Sequence, residues 1–210
     1  MIESSTLSLR HMELDDVPQV VAIDRVSFSA PWSARSYAYE VSESSYSYML
    51  VLAQTVETPV EGWRRWLNLL NGEGNQAEQR ILGYGGLWNI MDEAHISTIA
   101  SHPDERGKGY GELLLAAMVK RSITLQAGYV VLEVRVSNRI AQNLYRKYEF
   151  EVESVKKNYY RDDREDAYDM RLDLSKPGVI DRFNDRFAAI MTRFPLDDAY
   201  TNGPRRGLDR

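Results

Sequence analysis

Cysteine is absent from the 210 residues of the sequence. Its absence excludes a disulfide framework, a zinc site with cysteine ligands and a thiol nucleophile. Long apolar runs are absent as well, and no stretch approaches the roughly 18 apolar residues that a membrane-spanning helix needs. Residues 1–5 hold neither a basic region nor an apolar core, so we expect no secretory signal there and a cytoplasmic protein.

An excess of basic charge is also missing. The chain carries 26 Lys and Arg against 31 Asp and Glu, a net charge of −5 with histidine neutral. That balance argues against a broad nucleic-acid surface and suits a cationic substrate better. With 43% hydrophobic and 27% charged residues, the composition is that of a globular protein with a buried core, and the length predicts one domain with extensions.

Strand and helix patterns alternate through residues 1–174, which we predict to form one domain. Its middle follows the order strand, strand, loop, helix, strand, helix, strand, strand, which indicates a mixed α/β (α+β) fold with a parallel crossover through a glycine-rich loop. Residues 57–79 lie between breakers and are predicted to be an insertion. One face of a short amphipathic helix in it carries Trp63, Trp66, Leu67 and Leu70.

Two predicted helices offer surfaces for a partner. The helix of the insertion packs either on its own domain or on a partner or second copy. Residues 175–210 are predicted to form a C-terminal helix, with an apolar stripe that includes Phe183, Phe187 and Ile190, and a flexible tail from Thr201. This helix folds back on the domain or pairs between subunits, so a dimer through either helix is a hypothesis.

A glycine-rich loop, RGKGYG at 106–111, leads into a predicted helix. Glycine allows unusual backbone angles and lets a ligand come close. The first N–H groups of a helix have no internal partner and the helix dipole is positive there, so backbone amides can hold an anionic diphosphate. An ordinary glycine-rich turn with solvated basic residues is the alternative. The spacing matches neither a Walker loop nor the dinucleotide-binding fingerprint.

The strand predicted over residues 129–136 places Glu133 in its middle. Even-numbered positions of this strand are apolar, so Glu133 and Arg135 share the other face. A carboxylate in that position loses hydration, which raises its pKa and makes it a better base. The alternative is an ion pair on a wet face, either with Arg135 or across strands.

The segment after this strand carries two further candidates. Asn138, together with Ser137, is a good helix cap, and capping alone explains its place. Tyr145 lies on the capped helix, on one face with Ala141 and Tyr148. Tyrosine in such a position is more often part of the core, yet its phenol can donate a proton, with an unperturbed pKa of about 10.

Arg106, Gly109 and Gly111 match the acetyl-CoA pyrophosphate motif Gln/Arg-x-x-Gly-x-Gly/Ala, so the chain resembles the GNAT N-acetyltransferases. It is similar, more narrowly, to the RimI-type alanine N-acetyltransferases, which modify the N-terminus of a small-subunit ribosomal protein. The likeness runs from Asp24 to Leu174 apart from the insertion. Its landmarks, in this order, are FSAPWS at 28–33, IASHP at 99–103, LEVRVSN at 132–138, LYRKYEF at 144–150, KNYY at 157–160 and EDA at 165–167.

The resemblance implies the GNAT acyl-CoA N-acyltransferase fold, a mixed central sheet whose two central strands splay apart between flanking helices. It implies acetyl-CoA as the co-substrate, no metal, Glu133 as the general base and Tyr145 as the general acid. The implied cofactor contacts are Ile99, Ala100, Ser101, Arg106, Gly107, Lys108, Gly109, Tyr110, Gly111, Glu112 and Asn138. The residues implied to border the peptide site are Trp32, Tyr159 and Tyr160.

We therefore expect an acetyl-CoA-dependent acetyltransferase for protein N-termini, acting on a ribosomal protein N-terminal alanine without a covalent enzyme intermediate. An α-amine has a pKa of about 7.7–8.0, so a carboxylate acting through water can deprotonate it. Acetylation of a lysine or a small-molecule amine is the alternative within the same fold. A non-catalytic acyl-CoA-binding or assembly protein is the alternative from another class. We expect no direct contact with nucleic acid or membrane.

The sequence departs from the family pattern in three places. Gly107 stands where a basic residue is common, although Lys108 matches the second basic position of the loop. The insertion at 57–79 and the segment after residue 175 are absent from the compact family pattern. Both additions could alter the access of substrate.

Overall fold

The computed structural model describes residues 6–56 and 78–204 and shows in them an eight-stranded mixed sheet flanked by helices. The strands are β1 (Thr6–His11), β2 (Ser47–Val56), β3 (Glu78–Ile90), β4 (Glu93–Ser101), β5 (Tyr129–Arg135), β6 (Glu151–Lys156), β7 (Ala167–Asp173) and β8 (Leu196–Asp198). The helices are α1 (Val17–Ser27), α2 (Ala34–Ser42), α3 (Tyr110–Thr124), α4 (Arg139–Lys147) and α5 (Val179–Arg193). The order of strands across the sheet is β6-β7-β5-β4-β3-β2-β1-β8.

Two neighbouring interior strands of the sheet, β4 and β5, run parallel and then part. They pair only from Glu93 with Tyr129 to His95 with Val131. Beyond that point β4 stays paired with β3, and β5 stays paired with β7. A V-shaped gap therefore opens between β4 and β5, which confirms the parallel crossover and the splayed central strands that the sequence and its resemblance predict.

Local sequence explains where several helices begin. Ser33 caps α2, because its hydroxyl accepts a hydrogen bond from the N–H of Ser36 at 3.0 Å. Asn138 caps α4, because its side-chain oxygen accepts from the N–H of Ala141 at 3.1 Å. Pro18 lies in the first turn of α1, where a missing N–H costs no helical hydrogen bond. The cap at Asn138 fixes the start of the helix that carries Tyr145.

Two apolar cores lie on opposite faces of the sheet. One contains α3 and α5 and the other contains α1 and α2. Alternating residues of β2 show the division: Leu50 and Leu52 belong to the first core, and Met49, Val51 and Ala53 belong to the second. The even-numbered residues of β5 pack in the first core, whereas its odd-numbered residues belong to neither core and are only partly buried.

The segment after residue 174 is built into the same fold. α5 packs along α3 with Phe183 and Ile190 buried, and β8 pairs in parallel with β1. Tyr200 is fully buried, and the guanidinium of Arg121 donates to its backbone oxygen at 3.3 Å. The C-terminal helix therefore folds back on its own domain, which is one of the two arrangements that its apolar stripe predicts.

The end of the chain differs from the flexible tail that the sequence predicts from Thr201. Thr201 is buried, and its N–H and hydroxyl both donate to the carboxylate of Asp198. The backbone is held because Asp198 and Arg121 supply partners that local composition does not reveal. Residues 205–210 lie outside the described residues, and the division of the chain at residue 174 stays a prediction.

The predicted insertion and its amphipathic helix lie outside the described residues, except for the last two positions. Those two, Glu78 and Gln79, already belong to β3. Within residues 6–56 and 78–204, no helix is both long enough and apolar enough to cross a bilayer. The same two ranges contain no group of three or more His, Asp or Glu side chains placed to hold a metal ion.

Candidate active site

The loop before α3 exposes its backbone where the helix begins. Gly107 and Gly109 have φ angles of 80° and 93°, values that favour glycine. A Cβ on Gly107 would meet no atom within 4 Å, so a ligand can reach this backbone. The first N–H groups of α3, from Tyr110 onward, have no acceptor within the helix. These features suit a diphosphate at this loop.

The basic side chains beside the loop have partners of their own. Lys108 Nζ lies 2.6 Å from Oε2 of the buried Glu105, and Arg80 pairs with the same carboxylate at 3.0 Å. The hydrogen bond from Lys108 lowers the pKa of Glu105. Arg106 Nη2 donates to the hydroxyl of Ser27 at 3.3 Å. These contacts hold the loop in place, and its backbone N–H groups remain the main donors that it offers to an anion.

The first turn of α3 and the start of α4 hold the other predicted cofactor residues. Tyr110, Gly111 and Glu112 form that turn, and the Glu112 carboxylate accepts from Lys147 at 2.5 Å. The side-chain oxygen of Asn138 is used in capping α4. The structure therefore places Tyr110, Gly111 and Glu112 at the start of α3, next to the end of α4, and places Asn138 at the start of α4.

β4 offers a second row of backbone groups beyond the point where it leaves β5. Ile99, Ala100 and Ser101 pair with β3 on one side. Successive residues of an antiparallel pair direct their N–H and C=O groups alternately to the two sides, so every second residue here faces the gap. The accessible glycine loop and this free strand edge fit the diphosphate and the extended pantetheine arm of acetyl-CoA.

Glu133 on β5 lies two residues beyond the last β4–β5 pair, at the apex of the gap. Its side chain is 12% exposed, with His95 Nε2 at 2.8 Å from Oε2 and Lys156 Nζ at 2.5 Å from Oε1. Lys156 also pairs at 3.2 Å with Asp169, the residue opposite Glu133 on β7. The ammonium thereby offsets the repulsion between two facing carboxylates.

The pKa of Glu133 moves against the expectation from burial alone. Burial raises it, but the hydrogen bonds from His95 and Lys156 outweigh burial and lower the pKa to about 2. The prediction of a raised pKa is therefore wrong, and the alternative of a cross-strand ion pair is confirmed, although the carboxylate is largely buried. Arg135 is not the partner, because its guanidinium binds three carboxylates of the β6–β7 loop, those of Asp162, Asp163 and Glu165.

Tyr145 is buried in α4, where its ring centroid lies 6.0 Å from that of Phe150. Burial raises the pKa of its hydroxyl, and the negative charge of ionised Tyr160 would raise it further. The phenol therefore keeps its proton at neutral pH. Burial also raises the pKa of Tyr160 to about 12, and Glu133 adds to that effect.

Aromatic rings surround the partner of Glu133 on β4. The ring of Trp88 meets that of His95 edge to face at 5.4 Å and stacks on Trp32 at 6.1 Å. Tyr46 meets Trp88 edge to face at 6.4 Å, and Trp88 Nε1 donates to Glu40 at 3.0 Å. Trp32, expected at the peptide site, therefore belongs to a wall of aromatic rings next to His95.

Tyr159 and Tyr160 lie beside the other partner of Glu133. The Lys156 ammonium is 5.8 Å from the Tyr159 ring, and the two tyrosine rings meet edge to face at 5.2 Å. The Arg135 guanidinium lies 3.9 Å over Tyr160 and donates to the Ser29 hydroxyl at 3.2 Å. Arg135 thereby ties the β6–β7 loop to the α1–α2 loop, next to the carboxylate network.

The sequence prediction does not include His95, Lys156, Asp169 or Trp88, which all belong to this network. His95 and Lys156 lie 38 and 23 residues from Glu133 along the chain. Alternation along β4 could have shown which residues share the face of His95, but alternation does not tell which strands are neighbours. The strand order, which local sequence leaves open, brings these side chains together.

Known proteins are similar in sequence to most of the chain. The sequence profile of the Acetyltransferase (GNAT) family matches residues 18–150. A Bacillus subtilis (strain 168) protein, provisionally named ribosomal protein bS18-alanine N-acetyltransferase, is 32% identical over 169 residues, which cover 80% of this chain and 97% of the relative. The ribosomal protein bS18-alanine N-acetyltransferase of Escherichia coli (strain K12) is 28% identical over 171 residues, which cover 80% of this chain and 98% of the relative.

A solved structure shows the same fold. The crystal structure of the ribosomal-protein-S18-alanine N-acetyltransferase from Escherichia coli superposes with a TM-score of 0.62 at 25% sequence identity. The superposition covers 82% of this chain and 96% of the other. The likeness therefore extends over nearly the whole of the shorter protein.

Proposed function

The chain belongs to the Acetyltransferase (GNAT) family and is an N-acetyltransferase, and on that premise we propose that it transfers acetyl from acetyl-CoA to the α-amine of a protein N-terminus. The acceptor that we propose is the N-terminal alanine of a ribosomal protein, as the names of the similar proteins suggest. Such an acceptor places the reaction in the cytoplasm. The observation that carries the proposal is the contact of Glu133 with His95 and Lys156 at the apex of the gap.

The acceptor amine binds next to Glu133 in this proposal. Two carboxylates, Glu133 and Asp169, face the single ammonium of Lys156, which favours a cationic ligand. With a pKa of about 2, Glu133 is ionised at neutral pH but is a weak base. An α-amine with a pKa of about 7.7–8.0 is partly neutral near that pH. Glu133 and His95 therefore orient the amine and a water molecule that carries its proton away.

The transfer itself needs one direct displacement. The neutral amine attacks the carbonyl carbon of the thioester, so that a C–N bond forms and the C–S bond breaks. N–H groups on the free edge of β4, near Ile99 to Ser101, stabilise the negative charge on the carbonyl oxygen. Tyr145 donates its proton to the departing sulfur and regains one from solvent, while the amine proton leaves through water beside Glu133.

A pair of matched peptides tests this proposal. Both carry the same alanine-initiated sequence with one lysine; the first has a free α-amine and a blocked lysine, and the second has a blocked α-amine and a free lysine. After incubation with acetyl-CoA, mass spectrometry with fragmentation locates the acetyl group. We expect one acetyl group on the first residue of the first peptide and none on the second.

Three outcomes bear on the proposal differently. Acetylation of the lysine alone contradicts N-terminal specificity and favours the lysine alternative. Binding of acetyl-CoA without turnover on any amine favours a non-catalytic protein. Among N-terminal peptides of small-subunit ribosomal proteins, we expect the alanine-initiated peptides to react fastest, and equal rates on all of them would contradict the ribosomal assignment.

A further inference from the structure

The C-terminal extension, residues 175–204, reaches the glycine loop. At the end of α5, Arg193 Nη2 lies 3.0 Å from the position that a Cβ on Gly109 would take, and the Phe194 ring lies 3.2 Å from it. The Phe194 ring is also 5.5 Å from that of Tyr110, the first residue of α3. The family profile ends at residue 150, so these contacts come from a part of the chain beyond it.

The placement of Arg193 is fixed by packing on both sides of it. α5 runs along α3, where Lys120 Nζ contacts Asn184 at 3.0 Å, and Phe183 packs against Tyr148 at the end of α4. After α5 the chain joins the sheet through β8. The end of α5 is therefore held over the start of α3 and is not a loose tail.

The charge of Arg193 is only weakly engaged. Its side chain is 54% exposed, and its contact with the Glu112 carboxylate is long, at 3.6 Å. Glu112 already has closer partners, with Lys147 at 2.5 Å and the hydroxyl of Tyr148 at 3.1 Å. The guanidinium thus lies beside the glycine loop, and among the described residues its nearest carboxylate is that of Glu112 at 3.6 Å. Arginine presents donors in a planar fork that matches a phosphate.

We propose that Arg193 binds a phosphate group of CoA, so that the C-terminal extension completes the donor site of this chain. This inference rests on the donor site of the proposed function. Two phosphate sources exist on the same ligand, the diphosphate and the 3′-phosphate, and both present the same chemistry to the guanidinium. Gly109 is required here for its φ of 93° and also because a side chain would press on Arg193 and Phe194.

A purely structural role for Arg193 makes different predictions. A cation at the last turn of a helix interacts favourably with the helix dipole, and Arg193 occupies that turn of α5. Such a role would change the stability of the protein but would leave the affinity for CoA and its salt dependence unchanged. Binding measurements therefore separate the two roles.

Isothermal titration calorimetry with CoA and with dephospho-CoA tests the proposal, on the full chain and on Arg193→Gln. We expect Arg193→Gln to raise the Kd for CoA about tenfold at low salt, as for the loss of one charge-assisted contact. The ratio between variant and wild type should fall towards one at 1 M salt, where the screening length is about 3 Å. Arg193→Lys should recover part of the affinity.

The second ligand identifies the phosphate. If Arg193→Gln loses affinity for CoA but not for dephospho-CoA, the contact is with the 3′-phosphate. If it loses affinity equally for both ligands, the contact is with the diphosphate. The matched control is Arg182→Gln, an arginine of the same helix that pairs with Glu149 at 2.7 Å, and its Kd should stay within twofold of wild type.

The outcomes against the proposal are distinct from a failure of the proposed function. If wild type binds CoA and Arg193→Gln binds both ligands within twofold of wild type, the inference about Arg193 is wrong and the donor site stands. An equal loss of CoA affinity in Arg182→Gln would likewise overturn the inference about Arg193. If wild type gives no heat with CoA, the donor site itself is wrong.

Discussion

In the proposed function, the donor side and the acceptor side of the gap between β4 and β5 are built from different parts of the chain. The donor side is mostly main chain and nearly continuous in sequence, from the edge of β4 at Ile99 to the first turn of α3 at Glu112. The acceptor side is made of side chains from separate strands, with His95 on β4, Glu133 on β5 and Lys156 on β6.

This difference determines how each side responds to mutation. Backbone N–H groups are supplied by any residue except proline, so the donor side depends on few side chains. Glycine is needed there for conformation and clearance, and Arg193 is the one side chain that we propose to bind a phosphate. The acceptor network depends on the charge of one carboxylate between two partners. Single substitutions should therefore separate donor binding from turnover, and the experiments below test that separation in order of expected effect.

Removing the charge of Glu133 should lower turnover without changing the affinity for CoA. Glu133→Gln keeps the size of the side chain but loses the anion between His95 and Lys156. We expect turnover on an α-amine peptide to fall about 10²–10⁴-fold, with the Kd for CoA within twofold of wild type. Steady-state kinetics and calorimetry give the two numbers.

Glu153→Gln is the matched control for this substitution, because Glu153 is exposed on β6. It should turn over at the wild-type rate. Wild-type turnover by Glu133→Gln would remove Glu133 from the mechanism, and a parallel loss of CoA affinity would show that the two sides are not separable.

Removing the hydroxyl of Tyr145 should have an effect of similar size. Tyr145→Phe keeps the ring packing on Phe150 but leaves no proton donor for the departing sulfur. We expect a loss of about 10²–10⁴-fold in kcat with an unchanged melting temperature. Tyr39→Phe, at an exposed position on α2, is the control. Turnover at the control rate by Tyr145→Phe would assign the tyrosine to the core alone.

The pH dependence of kcat/KM should report the acceptor and not Glu133. The pKa of Glu133 is lowered to about 2, so the carboxylate is ionised throughout the range above pH 4 and does not titrate there. Activity should instead fall about tenfold for each pH unit below the pKa of the α-ammonium, about 7.7–8.0. A peptide with a less basic α-amine should shift this limb to lower pH. If the acidic limb of the pH profile stays at the same pH with the new peptide, the titrating group belongs to the enzyme and not to the acceptor.

Adding a methyl group to Gly109 should affect the donor side by a smaller factor. Gly109→Ala strains a φ of 93° and brings Cβ within 3.0 Å of Arg193 and 3.2 Å of Phe194. We expect the Kd for CoA to rise about tenfold, equivalent to about 1.4 kcal/mol, with kcat at saturating CoA within twofold of wild type. Gly107→Ala has a similar positive φ and meets no protein atom within 4 Å, so its effect combines backbone strain with contact between the new methyl group and CoA. A Kd for CoA within twofold of wild type in Gly109→Ala would contradict the prediction.

The two sides also differ in how far the sequence predicts them. The glycine loop, the cap at Asn138 and the face of Glu133 follow from spacing over a few residues, and the structure has each of them where expected. Short-range patterns suffice for these features because each is formed by neighbours in sequence. The cofactor and catalytic roles of these residues stay predictions.

The features that the sequence does not predict depend on contacts between segments far apart in the chain. The lowered pKa of Glu133 comes from His95 and Lys156, and the pattern of β5 alone gives only the burial that acts in the other direction. Likewise β8, with the sequence LDD, has no strand alternation and forms because β1 offers a free edge. The order of strands in the sheet produces both the lowered pKa of Glu133 and the formation of β8, and local sequence patterns do not predict that order.

A bisubstrate ligand offers the most direct measurement of the whole account, because it must occupy both sides of the gap at once. The ligand is CoA joined through an acetyl linker to the α-amine of a short alanine-initiated peptide. We expect calorimetry to give a Kd at least about 100-fold below that of CoA alone, since the second contact becomes intramolecular. A Kd equal to that of CoA would contradict it, because the peptide would then have no site beside Glu133.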